Sequence, residues 1–368
     1  MPHRFIISGG GTGGHIFPAI AIANTIKQRE PEADILFVGA KGKMEMEKVP
    51  AAGYKIVGLN ISGIRRSLSL SNLLVPIKLL NALSQAFKIL RDFKPDVVVG
   101  VGGFASGALV FAASVKGIPT LIQEQNSFPG VTNRILSRRV KAICVAYPDM
   151  EKHFPKAKLV ITGNPVRSEI YASKPEQGAS RAHFGLSADR FTVLAVGGSL
   201  GARSINEAMA KNISQFASHN IQIIWQTGKG HLSQAEAAVD AASKDRVCVQ
   251  EFIARMDLAY AAADVVVSRA GAIAVSELCV VKKPCILVPY PFAAEDHQTS
   301  NAKVLSHVKA AVLLPDHEVR EKLGDSVLNL KNDENLRIEM SANIGKLAKP
   351  DAANRITDEV FKLIPSKA

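Results

Sequence analysis

The sequence predicts an α/β protein of two doubly wound domains, each a parallel sheet with helices on both faces. Three observations carry that prediction. The chain has 368 residues, which suits two domains of about 150–200 residues each. Short, nearly continuous apolar strands alternate with helical stretches from the start, as in parallel sheets buried on both faces. The alternation then pauses once, near Gly163-Asn164-Pro165, and restarts.

Taken in order, "RFIISGG" leads to a helix at about 18–29, and "DILFVG" leads to a short helix carrying "MEMEKV". "PDVVVGVGG" leads to "ASGALVFAASVKG", "PTLIQEQ" to a helix near 130–140, and "KAICVAY" follows. A polar stretch of low order is expected from about Ser173 to Asp189. The second series is "FTVLAVGGSLGAR", "IQIIWQTG", "RVCVQEFI", "ADVVVSRAG", "PCILVPYP" and "AAVLLP", with helices between them. This makes two Rossmann-like domains, 1–163 and 164–344, with a helix at about 345–368 returning to the first.

Composition narrows the function. Hydrophobic residues make up 47%, enough for two cores. The formal charge is +12 and the pI about 9.5, so an anionic partner is expected. Cys144, Cys248, Cys279 and Cys285 form no CxxC pair and read as buried reduced thiols, which suits the cytoplasm. No charged segment and apolar stretch precede the first strand, and no run of about 18–20 uncharged apolar residues occurs. Leucine beside Arg65, Arg66, Lys78, Lys88, Arg91 and Lys94 fits either a core-facing helix or a segment lying on an anionic bilayer. Arg134, Arg138, Arg139 and Lys141 extend that basic face. Aromatics do not interleave with the basic residues, so a nucleic-acid stacking platform is not expected.

Three glycine loops each follow a strand and precede a helix: Gly9 to Gly14, Gly100 to Gly107, and Gly197 to Gly201. Such loops let an anion approach the backbone and the helix N-terminus. Gly9, Gly11 and Gly14 match GxGxxG, but the second strand ends Gly39-Ala40-Lys41 and lacks the acidic residue that would bind a nicotinamide-nucleotide ribose. His15 directly follows the first loop and is the first candidate for a base. Glu124, in "IQEQN" at the carboxyl end of a strand, is the second. Arg167 in "GNPVR" suits a diphosphate clamp. Ser268-Arg269-Ala270-Gly271-Ala272 followed by Glu277 suits a phosphate at a helix start with a carboxylate for two ribose hydroxyls. Walker A, HExxH, zinc-type cysteine clusters and DxD are absent, so no metal and no cofactor are expected.

Together "GGGTGGHIFPA", "GVGGFASG", "QEQN", "GNPVR", "GGSLGAR", "WQTG", "SRAGA…VSE" and "EDHQTSNA" resemble the MurG family of peptidoglycan N-acetylglucosaminyltransferases, from about residue 5 to 365. The resemblance implies the glycosyltransferase B fold, two Rossmann-like domains facing a deep cleft. It implies inverting, metal-independent transfer from UDP-N-acetylglucosamine to the muramyl 4-hydroxyl of lipid I, giving lipid II. It places donor contacts on Thr12, Gly13, Gly14, Asn126, Arg167, Ser199, Ile253, Ala272, Ile273, Ala274, Val275, Ser276, Glu277 and Gln298. Ile253 would meet uracil through its backbone, Glu277 the ribose, and Asn126 and Gln298 the sugar. Acceptor contacts fall on Gly102, Gly103 and Ser106. The family is peripheral on the cytoplasmic face of the inner membrane, a role the Leu73–Leu83 region matches, and works beside other cell-wall synthesis proteins. Leu200 and Thr299 depart from the glutamines that many and some relatives, respectively, carry there. Two alternatives stay open: a related enzyme with a diacylglycerol-type acceptor, and a non-enzymatic nucleotide-sugar-binding module.

Overall fold

The structure, a computed structural model, describes residues 2–61, 75–172, 174–198 and 200–365. The chain divides into two compact units, one of Met1–Val166 with Pro350–Ala368 and one of Arg167–Lys349. The breaks follow Val166 and Lys349, against 163 and 344 expected from the sequence.

The first unit runs β1 (Arg4–Gly9), α1 (Gly13–Arg29), β2 (Asp34–Ala40), α2 (Glu45–Ala51), β3 (Lys55–Leu59), α3 (Val75–Phe93), β4 (Val97–Gly102), α4 (Phe104–Val115), β5 (Thr120–Glu124), α5 (Val131–Leu136), β6 (Ala142–Val145) and β7 (Leu159–Ile161). Its seven strands are parallel in the order β3-β2-β1-β4-β5-β6-β7. Alternate strand residues serve opposite faces. Ile6, Val98, Ile122 and Ile143 pack with Leu109 of α4 and Ala86 of α3. Phe5, Ile7, Val99 and Leu121 pack with Ile16, Ile22 and Ile26 of α1.

The second unit runs α6 (Ser168–Ala172), α7 (Gln177–His183), β8 (Phe191–Val196), α8 (Arg203–Ser218), β9 (Ile221–Gln226), α9 (Leu232–Ala238), β10 (Val247–Gln250), α10 (Met256–Ala262), β11 (Val265–Ser268), α11 (Ala272–Val281), β12 (Cys285–Leu287), α12 (His297–His307), β13 (Val312–Leu313), α13 (Val319–Asn332) and α14 (Glu334–Lys346). Six parallel strands follow the order β10-β9-β8-β11-β12-β13. Trp225, Val193, Val265 and Ile286 pack with Ile205, Met209 and Phe216 of α8 and Leu323 of α13. The last helix, α15 (Ala352–Lys362), belongs to the first unit, where Ile356 and Val360 join the α1 core.

Three local features of secondary structure differ from the sequence reading. The edge strands β3 and β7 are short and partly exposed, so they lack the continuous apolar signal of inner strands. Helix α1 begins at Gly13, ahead of the start expected at about residue 18, and carries Pro18 inside it. Helix α7 lies within the stretch expected to be irregular; its N-cap is Glu176, whose carboxylate accepts from the Gly178 and Ala179 N–H groups. Of the proposed membrane segment, Leu73 and Leu74, with the preceding residues from 62, lie outside the described residues. The cysteines are free thiols; Cys144, Cys279 and Cys285 are buried as expected, but Cys248, on the edge strand β10, is only half-buried, and burial pushes Cys279 up to about 12 and raises the other three.

Candidate functional site

In each unit the strand order reverses once, between β1 and β4 and between β8 and β11. Ligands of open α/β sheets bind beyond the strand ends at such a reversal, and every predicted glycine loop falls there.

In the first unit the loops after β1 and β4 lock together. The Gly10 N–H donates to the Gly102 carbonyl at 3.3 Å. A Cβ on Gly103 would come within 2.7 Å of the Gly10 oxygen, and Gly103 has φ of +93°, so a side chain is excluded twice over. Helices α1 and α4 start here with no side-chain cap and no acidic residue in the first turn. Thr12 and Gly14 are exposed and Gly13 is half-buried, and free N–H groups at uncapped helix starts are of the kind that can receive an anion.

His15 lies between the two loops. Its Nδ1 is 2.9 Å from the Gly10 carbonyl oxygen, and its ring occupies the space a side chain at Gly102 would need. A carbonyl can only accept, so Nδ1 carries the hydrogen, and in the neutral ring Nε2 holds the lone pair.

Glu124 is buried, and four donors fill its carboxylate: Asn126 N at 3.0 Å, Asn126 Nδ2 at 3.2 Å, Gly130 N at 3.2 Å and Asn133 Nδ2 at 2.9 Å. Four donors saturate a carboxylate. The second candidate base is therefore a loop holder, which orients Asn126 in the half-buried turn after β5. Beside it Gln123 donates to Asn164 at 3.0 Å, and Asn164 donates to the Gln125 carbonyl at 3.0 Å. Ser106, expected to touch the acceptor, is 0% exposed, with its hydroxyl facing the Gly100 backbone.

In the second unit Glu277 is 5% exposed and binds two partners. Arg167 Nε and Nη2 donate to Oε1 at 3.1 and 3.0 Å, and the Tyr260 hydroxyl donates to Oε2 at 3.0 Å. Burial and then the Glu277 charge push the Tyr260 pKa well up, so it remains a donor. Burial alone would lower the Arg167 pKa, but the adjoining carboxylate outweighs it and the net shift is upward. The expectation that Glu277 takes two ribose hydroxyls is revised, because three donors leave one acceptor direction. Nη1 of Arg167 takes no part in the bonds to Glu277.

Helix α11 starts at Ala272 from the N-cap Gly271, again with no side-chain cap and no first-turn acid. Ala272 and Val275 are buried, while Ile273, Ala274 and Ser276 are half-buried; the Ser276 hydroxyl donates to the Ala272 carbonyl at 2.9 Å. Gln298 accepts from Tyr290 N at 3.0 Å, which ties α12 to the loop after β12. Ser199 lies outside the described residues.

The sequence reading gave no role of their own to four positioning residues, although Gln226 and Arg269 stand inside motifs it singled out. Gln226 donates to the Gly198 carbonyl at 3.1 Å and accepts the Ile253 N–H at 3.0 Å, so only the Ile253 carbonyl is left for a base. Arg269 donates to the Val288 and Pro289 carbonyls at 3.2 Å and to Ser204 at 3.1 Å, and pairs with Asp316. Tyr260 is the third. Glu45, buried under the first glycine loop, is the fourth. Each signal was short and non-periodic, a single polar residue in or beside an apolar run.

The glycosyltransferase family 28 N-terminal domain matches residues 5–145, and the family 28 C-terminal domain matches residues 192–356. A Parabacteroides distasonis protein is 51% identical over 99% of both chains. One from Porphyromonas gingivalis is 52% identical over 98% of this chain and 96% of its own. Both are named UDP-N-acetylglucosamine–N-acetylmuramyl-(pentapeptide) pyrophosphoryl-undecaprenol N-acetylglucosamine transferase. The crystal structure of Acinetobacter baumannii MurG superposes with a TM-score of 0.79 at 30% identity, covering 98% of this chain and all of that one.

Proposed function

The chain belongs to glycosyltransferase family 28, and from that membership we propose how its two units divide the chemistry. It is an N-acetylglucosaminyltransferase that uses UDP-N-acetylglucosamine and glycosylates the lipid-linked muramyl acceptor, lipid I, to form lipid II.

The second unit holds the donor. The Ile253 carbonyl accepts from uracil, Glu277 takes one ribose hydroxyl, Arg167 Nη1 meets the diphosphate, and Gln298 reads the sugar. The first unit holds the acceptor, with its diphosphate at the uncapped starts of α1 and α4, so Thr12, Gly13 and Gly14, which the resemblance gives to the donor, are read here with the acceptor. His15 Nε2 removes the proton from the muramyl 4-hydroxyl. The hydroxyl oxygen then bonds to C1 from the side opposite the leaving group, and the C1–O bond to the diphosphate breaks with inversion. Charge gathering on departing UDP is met by the α11 N-terminus and Arg167, with no divalent metal required. The observation that carries this assignment is the 2.9 Å contact of His15 Nδ1 with the Gly10 carbonyl, from which the lone pair is assigned to Nε2, beside two uncapped helix starts.

The test is UDP release from UDP-N-acetylglucosamine with a lipid I analogue in EDTA. Acceptor-dependent release is expected. Release with diacylglycerol alone would move the acceptor assignment, and donor binding without release on either acceptor would overturn the enzyme reading.

The first unit also docks on the anionic cytoplasmic membrane surface, where other cell-wall synthesis proteins meet it. Among the described residues no helix is long and apolar enough to cross a membrane. The first unit's sequence carries 24 Lys and Arg against 13 Asp and Glu, and the second 21 against 20, so nearly all the net charge lies on one unit. Leu80 on α3 is 68% exposed, at the edge of a groove lined by Leu83, Phe87, Lys88, Arg91 and Lys116. Apolar side chains ringed by cations suit an acidic headgroup layer. Leu80→Glu is expected to weaken binding to phosphatidylglycerol vesicles by roughly 10–100-fold, from about 1.5–3 kcal/mol of lost burial. Sedimentation with vesicles measures it, and an unchanged melting temperature is the control for folding.

A further inference from the structure

Glu45 opens α2 in the charged run "KMEMEK", yet it is 0% exposed. Its Oε1 accepts from Ala40 N at 3.0 Å and its Oε2 from Gly11 N at 2.9 Å. The side chain fills the space that residues 10 and 39 leave by being glycine. A Cβ on Gly10 would come within 2.2 Å of Oε1, and one on Gly39 within 2.5 Å of Cγ. The loop and the carboxylate are thus built around each other.

The Gly11 N–H and the Gly10 carbonyl are two ends of one peptide unit. The N–H points to Glu45 and the carbonyl accepts from His15 Nδ1. We propose that Glu45 is a positioning residue that sets the tautomer of His15 through the Gly10–Gly11 peptide. The inference rests on the reading of His15 as the base.

The peptide lies between two glycines, one of them at φ of +86°, and such a unit rotates end over end at little steric cost. Rotation would present an N–H to His15 Nδ1. The ring would then have to accept there and carry its hydrogen on Nε2, where it could not remove a proton. Both Glu45 oxygens accept N–H bonds, from Ala40 and Gly11, and an oxygen placed as an acceptor repels a carbonyl turned toward it, so Glu45 favours the orientation with the Gly11 N–H directed at it. It therefore selects the tautomer that leaves Nε2 bare. No proton moves to Glu45 in this scheme, because Nδ1 keeps its hydrogen throughout.

Glu45→Gln is the discriminating variant, since it keeps the size and shape. A carboxamide both donates and accepts, so it can meet either peptide orientation. Nitrogen-15 NMR of the imidazole in the full chain is expected to show only the Nδ1–H tautomer in the wild type and both tautomers in Glu45→Gln. With both populated, kcat falls by about two- to tenfold while the donor KM holds. In the His15→Ala background the same substitution has no further effect on kcat, because a residue acting through His15 has nothing left to act on. A Glu45→Gln ring that stays wholly Nδ1–H with unchanged kcat would overturn the proposal. So would a wild-type ring protonated on Nε2, an outcome that needs no folded variant. Glu45→Asp, which draws the carboxylate back from Gly11, is the second variant and is expected to mix the tautomers too. If His15→Ala retained full turnover, the base assignment would fail, yet the NMR comparison would still decide whether Glu45 governs the ring.

Discussion

His15→Ala is expected to lower kcat by about 10²–10⁴-fold, the usual contribution of a positioned general base. KM for UDP-N-acetylglucosamine should hold within about threefold, because the donor contacts proposed for Glu277, Arg167 and Ile253 lie on the other unit. The imidazole earns this role by geometry. Its Nδ1 is committed to the Gly10 carbonyl, and its ring lies against Gly102, where a side chain would displace it. Glu124, the rival, offers no free oxygen direction, since Asn126, Gly130 and Asn133 occupy all four. Glu124→Gln should therefore act as a loop variant, with a smaller loss than His15→Ala. Steady-state kinetics at saturating acceptor separate the two, and the reverse order of losses would move the base to Glu124.

What could be read from the sequence was whatever repeats or follows a fixed spacing. All six strands of the second unit were visible because each is an apolar run bounded by glycine, proline or charge. The glycine loops were visible because strand, glycines and helix come in a fixed order. Edge strands β3 and β7 were missed because only one side of each is paired, and exposure dilutes the apolar run. At the site, residues at strand ends and helix starts could be chosen by type, but their partners could not. Arg167 and Glu277 were chosen for separate tasks, yet they form one ion pair across 110 positions of sequence. Ser106 carries a suitable hydroxyl, but its helical phase turns it onto the sheet. In the sequence nothing sets Glu45 apart from Glu47 in the short helix carrying "MEMEKV". Only the fold brings that helix under the first glycine loop.

Glu277→Ala carries the second large effect, and its two consequences separate cleanly. Hydrogen bonds to a charged group contribute about 1.5–3 kcal/mol, so loss of the ribose acceptor should raise donor KM by roughly 10–100-fold. Stability falls as well, because the buried Tyr260 hydroxyl loses its acceptor and the Arg167 guanidinium loses its counter-charge. An unsatisfied buried donor costs about 1–3 kcal/mol. Two further variants keep these effects apart. Tyr260→Phe removes one donor to Glu277 and leaves the arginine pair, so donor KM should rise only a few-fold, by about 1 kcal/mol at most. Glu277→Gln keeps an acceptor for Tyr260 but sets Arg167 loose, and it should lose donor affinity with a smaller drop in melting temperature than the alanine variant. Kinetics and thermal unfolding on the three proteins supply the comparison. Were Glu277→Ala to lower kcat with donor KM unchanged, the carboxylate would be acting on the transition state rather than on the ribose, and the donor assignment in the second unit would have to be redrawn.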